Sequence, residues 1–359
     1  MTDETADNSI IINELAQDTN DRHIHQFSFN GSAGEYFRIW IVNLCLTIIT
    51  LGIYSAWAKV RTHQYFYANT RVANEQFDYL ANPLNILKGR VIALVAFIIY
   101  MITSQFFPLI APGFGLIFLA VLPWLVVRSM SFRNFNSAYR NIRFGFNRNY
   151  RESYWVFAGL LLLLPLTLGL IYPYVQYRQK RFLIDNARYG ESQFNFKGGI
   201  REFYDIYFTA VMIGIAGFVI IFLAQMVLAE AFNNLLPALA FINVGLFPLF
   251  MFALYAFIYG YINANVQNYL YNQSNLDSCG FTSTLSPMGL ASIYATNTLA
   301  IMFSFGLMIP WAMVRTARYR ADNLTLNSDD LDSFTAKQGT GDNAIGEEVG
   351  EMFDAGIGL

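Results

Sequence analysis

Charged side chains are scarce in this chain, 13% of its 359 residues against roughly 25% in an ordinary soluble domain. Cysteine is nearly absent. Cys45 in an apolar run and Cys279 in a polar loop exclude a disulfide framework and a thiolate metal cluster. The three histidines, His23, His25 and His63, have no zinc-ligand spacing and read as solvated surface groups. No Walker loop and no H-E-x-x-H occurs, and Gly31-Ser32-Ala33-Gly34 reads as a turn before a helix. Apolar runs carry no Asp, Glu, His, Lys or Arg away from their ends, which excludes a visible buried proton relay. With no nucleophile-and-base constellation, the sequence argues against an enzyme, a cofactor, a metal site or a nucleic-acid partner.

What the chain has is apolar surface: 55% of its residues are hydrophobic and 17% aromatic. Apolar runs lie near 36–57, 90–110, 113–127, 154–174, 206–229, 237–260 and 288–313, most of them close to the ~20 residues that cross a ~30 Å hydrocarbon core. The predicted class is an all-α polytopic membrane protein with short interfacial strands. Segment 1–26 is polar and acidic with no basic n-region, so a disordered tail and no cleaved signal peptide are expected. Segment 334–359 is acidic and Gly-rich and reads as a second disordered tail.

Self-similarity organises the rest. Residues 27–79, 144–196 and 281–333 align without a gap on G-x4-[WY]-x3-R-x3-[YF]-x3-N: Gly52, Trp57, Arg61, Tyr65, Asn69; Gly169, Tyr174, Arg178, Phe182, Asn186; Gly306, Trp311, Arg315, Tyr319, Asn323. Eight residues past the Asn stand Phe77 and Phe194, but Leu331 in the third copy. The second half of the pattern recurs between the copies, as Trp124, Arg128, Phe132, Asn136 and, degraded, as Tyr261, Asn265, Tyr269, Gln273. The chain therefore reads as three internal repeats in an A-b-A-b-A order: tail 1–26, repeat 27–79, helical hairpin 80–143, repeat 144–196, hairpin 197–280, repeat 281–333, tail 334–359.

Positions four apart share a helix face, so Trp57, Arg61, Tyr65 and Asn69, with Trp124, Arg128, Tyr174, Arg178, Trp311, Arg315, Tyr319 and Asn323, form stripes at helix ends. They suit the headgroup level, where rings anchor and Arg snorkels, or a lipid- or ligand-binding surface. Asn43 and Asn297 occupy one repeat position, with Leu160 in the middle copy; with Thr47, Thr50 and Thr167 they are candidates for a polar lining, or for interhelical hydrogen bonds.

Charge is one-sided. The connections near 108–112 and 230–237 hold no Lys or Arg, while segments 128–151 and 178–201 hold six each. The positive-inside rule is satisfied if each A unit dips into the membrane at its Gly and returns, the dips packing inside a four-helix shell made by the b hairpins, with both termini cytoplasmic. Seven straight spans are the alternative.

The run FSFNGSAGEYF at 27–37 with LTIITLGIYSAWAKVRTHQYFYANT at 46–70 resembles the YjgN-like family of bacterial inner-membrane proteins, a domain of unknown function. The resemblance implies a multi-pass inner-membrane protein and supplies no substrate, cofactor or catalytic residue. The later copies depart from it, with Tyr174 for Trp57 and Phe305-Gly306 for Leu51-Gly52. Expected is a transporter- or channel-like protein for a small solute; the alternative is a non-enzymatic scaffold binding anionic lipid headgroups or a protein partner through its stripes.

Overall fold

The computed structural model describes residues 23–107, 109, 111–235 and 240–328. Most of both expected tails lies outside the described residues, but 23–26, assigned above to the first tail, is ordered strand.

Eleven short strands set the frame. β1 (His23–Gln26) and β2 (Ser28–Phe29) flank Phe27. Four hairpins follow: β3 and β4 (Thr70–Val72, Glu75–Tyr79), β5 and β6 (Ser137–Tyr139, Ile142–Phe146), β7 and β8 (Ala187–Tyr189, Ser192–Phe196), β9 and β10 (Ser274–Leu276, Cys279–Ser283); β11 (Leu324–Ser328) is last. The sheet order is β1-β11-β10-β9-β8-β7-β6-β5-β4-β3-β2, with antiparallel pairing at both ends of the order. Its two ends, β1 and β2, are consecutive in the chain with Phe27 between them, so the sheet curls into a nearly closed barrel. The all-α expectation is therefore wrong. Each strand is only two to five residues long and pairs with strands far away in sequence, so local pattern showed short strands but not the ring they build.

The barrel is filled. Val72, Tyr139, Tyr189, Leu276 and Leu326 pack with Phe27, Phe77, Phe144, Phe194 and Phe281. The first five each stand three residues past a signature Asn or Gln. The missing aromatic of the third copy comes from the other end of the chain: Phe27 stacks on Phe77 at 6.3 Å, and its N–H donates to the Leu324 carbonyl at 3.0 Å.

Five helical hairpins hang from the barrel, each leaving it and returning to it. They are α1 and α2 (Ala33–Ile49, Ser55–Asn69); α3 and α4 (Pro83–Phe106, Ala111–Phe135); α5, a π-helical turn, α6 and α7 (Tyr150–Tyr154, Trp155–Gly159, Leu160–Leu166, Tyr172–Asp185); α8 and α9 (Arg201–Leu235, Ala240–Asn272); α10 and α11 (Pro287–Phe303, Ile309–Asp322). Helices begin at side-chain caps: Ser32, Asn149 and Ser286 each accept from the backbone N–H three residues on, where orphan donors need partners.

Hairpins pack on their neighbours in chain order, and α11 packs on α1 to close the circle. The short units are thus members of one ring. They do not form a bundle inside a four-helix shell, because four strand hairpins and the pair of β11 with β1, joined edge to edge, leave each helical hairpin only its two ring neighbours. Among the described residues four stretches are long and apolar enough to cross a membrane, Pro83–Phe106, Gly113–Phe135, Arg201–Phe232 and Gly245–Asn272, all in the two long hairpins.

The three short hairpins turn in one way. Leu51, Leu168 and Phe305 take left-handed backbone (φ 50 in each), followed by Gly52, Gly169 and Gly306 at φ 92, 83 and 91. Each glycine N–H closes a 6→1 bond, Gly52 to Thr47, Gly169 to Leu164 and Gly306 to Ile301, at 2.8 to 2.9 Å, the Schellman pattern. The apolar tip residues stand clear of the protein, Leu51 94%, Leu168 92% and Phe305 97% exposed.

Candidate functional site: five signature helices and the chamber beneath the plug

The Trp/Arg/Tyr/Asn signature proves to be the joint between helix and strand. Asn69, Asn136, Asn186 and Asn323 each donate their side-chain amide to the carbonyl four residues back, at 2.7 to 2.9 Å, and the strand starts at the next residue. The Asn thus ends the helix, as its position suggested.

The second ring of the stripe grips protein. Tyr65 Oη accepts from the Ser32 N–H at 2.8 Å and donates to the Ser32 carbonyl at 2.9 Å. Tyr319 does the same to Ser286, and Tyr269 to Gly199. One hydroxyl therefore locks the start of each of these three hairpins to its returning helix. Phe132 and Phe182 lack the hydroxyl and are buried in apolar clusters.

The four arginines have different partners. Arg61 lies over Tyr54 at 5.8 Å and Arg128 over Trp124 at 5.7 Å. Arg178 pairs with Glu152 at 3.0 Å. Arg315 lies over Trp311 at 5.1 Å, donates to Asn297 Oδ1 at 3.3 Å and reaches Thr296. Trp57 packs beside Ala56 and Val60, and Tyr174 beside Tyr177 and Phe203.

The candidate lining separates into two kinds. Thr47 and Thr50 donate to Asn43 and Leu46 carbonyls at 2.7 Å, and Thr167 to Leu163 at 3.0 Å; Thr50 also accepts from the Tyr54 N–H. These threonines satisfy their own helix and turn. Asn297 instead joins two helices, donating to the Ala312 carbonyl at 3.2 Å and Thr316 at 3.1 Å. Asn43, 4% exposed, has no hydrogen-bond partner at either amide atom.

Charge gathers on the other face of the signature helices. Arg133 at the end of α4 lies within electrostatic reach of Lys59 and His63 on α2 and of Lys180 on α7, and Arg320 on α11 lies within reach of Lys180; Tyr271 on α9 lies within reach of both arginines. Each of the five signature helices thus contributes, and side chains from all around a ring can meet only on its axis. Burial, then Arg90 and Arg133, pulls Lys59 down to about 8. Burial, then Lys59 and Arg133, holds His63 down at about 4. Lys180 is lowered by burial and then by Arg133 and Arg320.

Tyr271 marks the place. Its ring lies 6.3 Å from Phe281 of the plug, and 38% of its surface is open to water. Sequence reading missed this cluster, although Arg133 and Arg320 both stand three residues before the signature Asn, and His63 and Lys180 six before it. His63, expected at the surface, is half-buried with its ring 4.8 Å from that of Tyr79.

A ring of helical hairpins with span-length apolar helices, capped by a filled barrel, defines a membrane protein. Comparison with known sequences gives it kin: over residues 24–352 the chain belongs to the family described as bacterial protein of unknown function (DUF898). It is 32% identical over 155 residues to inner membrane protein YjgN of Salmonella typhimurium, covering 42% of this chain and 38% of that one. To inner membrane protein YjgN of Escherichia coli K12 it is 31% identical over 163 residues, covering 45% and 40%. The matched segment thus spans about two fifths of these relatives. No solved structure matches.

Proposed function

We propose that this is a multi-pass inner-membrane protein with the barrel on the cytoplasmic side, and that it moves a small solute along the axis of its five hairpins. The observation that supports it is the chain of electrostatic contacts linking Lys59, His63, Arg133, Lys180, Tyr271 and Arg320 across the five returning helices, with Tyr271 against the aromatic plug. No Lys or Arg falls at any of the five hairpin tips, so the positive-inside rule puts the barrel in the cytoplasm. The long hairpins then cross the bilayer and the short ones enter it and return. Irregular backbone at membrane depth must find its partners within the protein, and the tip bonds at Gly52, Gly169 and Gly306 meet that demand.

Two experiments test the reading. Cysteines at Leu109 and Asn234 should react with an impermeant thiol reagent added outside intact cells, and cysteines at Asn74 and Asn275 should not; the reverse pattern overturns the orientation. In proteoliposomes, Phe77→Ala/Phe194→Ala should raise uptake of radiolabelled phosphate and sulfate above wild type. Uptake equal to that of protein-free vesicles for both proteins overturns transport and favours the scaffold.

A further inference from the structure

Three long cationic side chains come from three different helices of the ring, with Arg133 and Arg320 each within electrostatic reach of Lys180 and of Tyr271. Like charges repel, and so close a set is stable only when water or an anion screens it. The groups that act on Lys180 besides burial are both cations. Arg320 spends one NH2 on Tyr294 Oη at 2.9 Å and leaves its buried Nε without a hydrogen-bond partner. Tyr271 stands beside them with water-accessible surface. These side chains together present two planar guanidinium forks, an ammonium and a phenol with water-accessible surface.

We infer that this chamber is a binding site for a multivalent tetrahedral oxyanion of the phosphate class, gripped by Arg133, Lys180 and Arg320. Guanidinium forks match phosphate oxygens in pairs, while the lysine supplies a compact point charge. The plug sets the upper wall, and Tyr271, in ring contact with Phe281, ties the site to it. Free inorganic phosphate and the headgroup of an anionic phospholipid offer the same chemistry. The inference rests on the axis described above but not on flux, so binding and transport stand or fall separately.

The test uses the full chain purified in detergent. Thermal unfolding is followed against sodium phosphate and against sodium chloride at equal ionic strength, and native mass spectrometry follows retained phospholipid. Wild type should gain stability with phosphate beyond chloride, or retain an anionic phospholipid whose removal exposes that gain; the first result names the free ion and the second the lipid. Arg133→Gln and Lys180→Gln should each weaken binding about tenfold or more, whereas the exposed Arg201→Gln should leave it unchanged. Without ligand, Lys180→Gln or the stem-preserving Lys180→Met should be at least as stable as wild type, because a repelling charge is gone. The inference is overturned if wild type shows neither a phosphate-specific gain nor bound phospholipid. It is also overturned if Arg133→Gln, Lys180→Gln and Lys180→Met all bind as wild type does. Binding without uptake in vesicles keeps the site and removes the transport reading.

Discussion

The hydroxyl of Tyr189 donates to the backbone carbonyl of Tyr139 at 2.9 Å, and the hydroxyl of Tyr139 donates in turn to the carbonyl of Val72 at the same distance. The two tyrosines form a relay inside the barrel that links three hairpins in ring order. Removing either hydroxyl leaves a buried carbonyl short of a partner, which costs about 1 to 3 kcal/mol. Tyr139→Phe and Tyr189→Phe should therefore lower the unfolding midpoint in detergent. Coupling measured in the double variant should be non-additive; strict additivity would show that the two bonds act alone.

Asn43 and Asn297 occupy the same repeat position and should respond oppositely. Asn297→Leu strips three hydrogen bonds from the contact between α10 and α11 and should destabilise by about 1 to 3 kcal/mol. Asn43→Leu removes an amide with no hydrogen-bond partner and should be neutral or stabilising, as Leu160 in the middle copy suggests. Equal losses in the two variants would mean that Asn43 finds a partner in the working protein.

The hairpin tips offer a third prediction. If Phe305 and Leu51 sit in hydrocarbon, a carboxylate there costs about 2.5 to 3.5 kcal/mol on the insertion scale. Phe305→Asp should reduce the membrane-inserted fraction, read from alkaline extraction of membranes, while Phe305→Met should not. Wild-type insertion of the Asp variant would place the tips in water.

His63 gives a pH dependence. Its folded pKa, about 4, lies below the ordinary ~6.5 of an unfolded chain, so below ~6.5 the unfolded state binds the proton first. Its contribution to stability is thus present above ~6.5 and is lost as pH falls toward 4. His63→Gln should flatten the midpoint-versus-pH curve across that window, and an unchanged slope would assign it to other groups.

Much of this was legible in the residues, and the rest was hidden for definite reasons. The helix-ending Asn and the glycine break points act locally, through a bond four residues back or a positive φ, and both can be read from a short window. The barrel cannot: β11 finds its partners in β10 and in β1, and nothing near Leu324 announces His23. The missing aromatic at 331 looked like decay of the repeat because its replacement, Phe27, stands at the other end of the chain. The inward cations were present as a register three and six residues before the signature Asn. Only closure of the ring shows that those faces point at each other.

The closing contact also sets an order of events in synthesis. The Gln26 side chain donates to the Asp322 carbonyl, 296 residues on, beside the pairing of β1 with β11. Four strand hairpins can form as they leave the ribosome, each from contiguous chain, but the last seam cannot be sewn until nearly all the helices have been inserted. Until then β1 and β10 offer unpaired edges, and joining strands so distant in sequence is slow. The newborn protein is thus an open crescent with its aromatic lining uncovered, the stage at which a holding chaperone, or a second unfinished crescent, would find the most to bind.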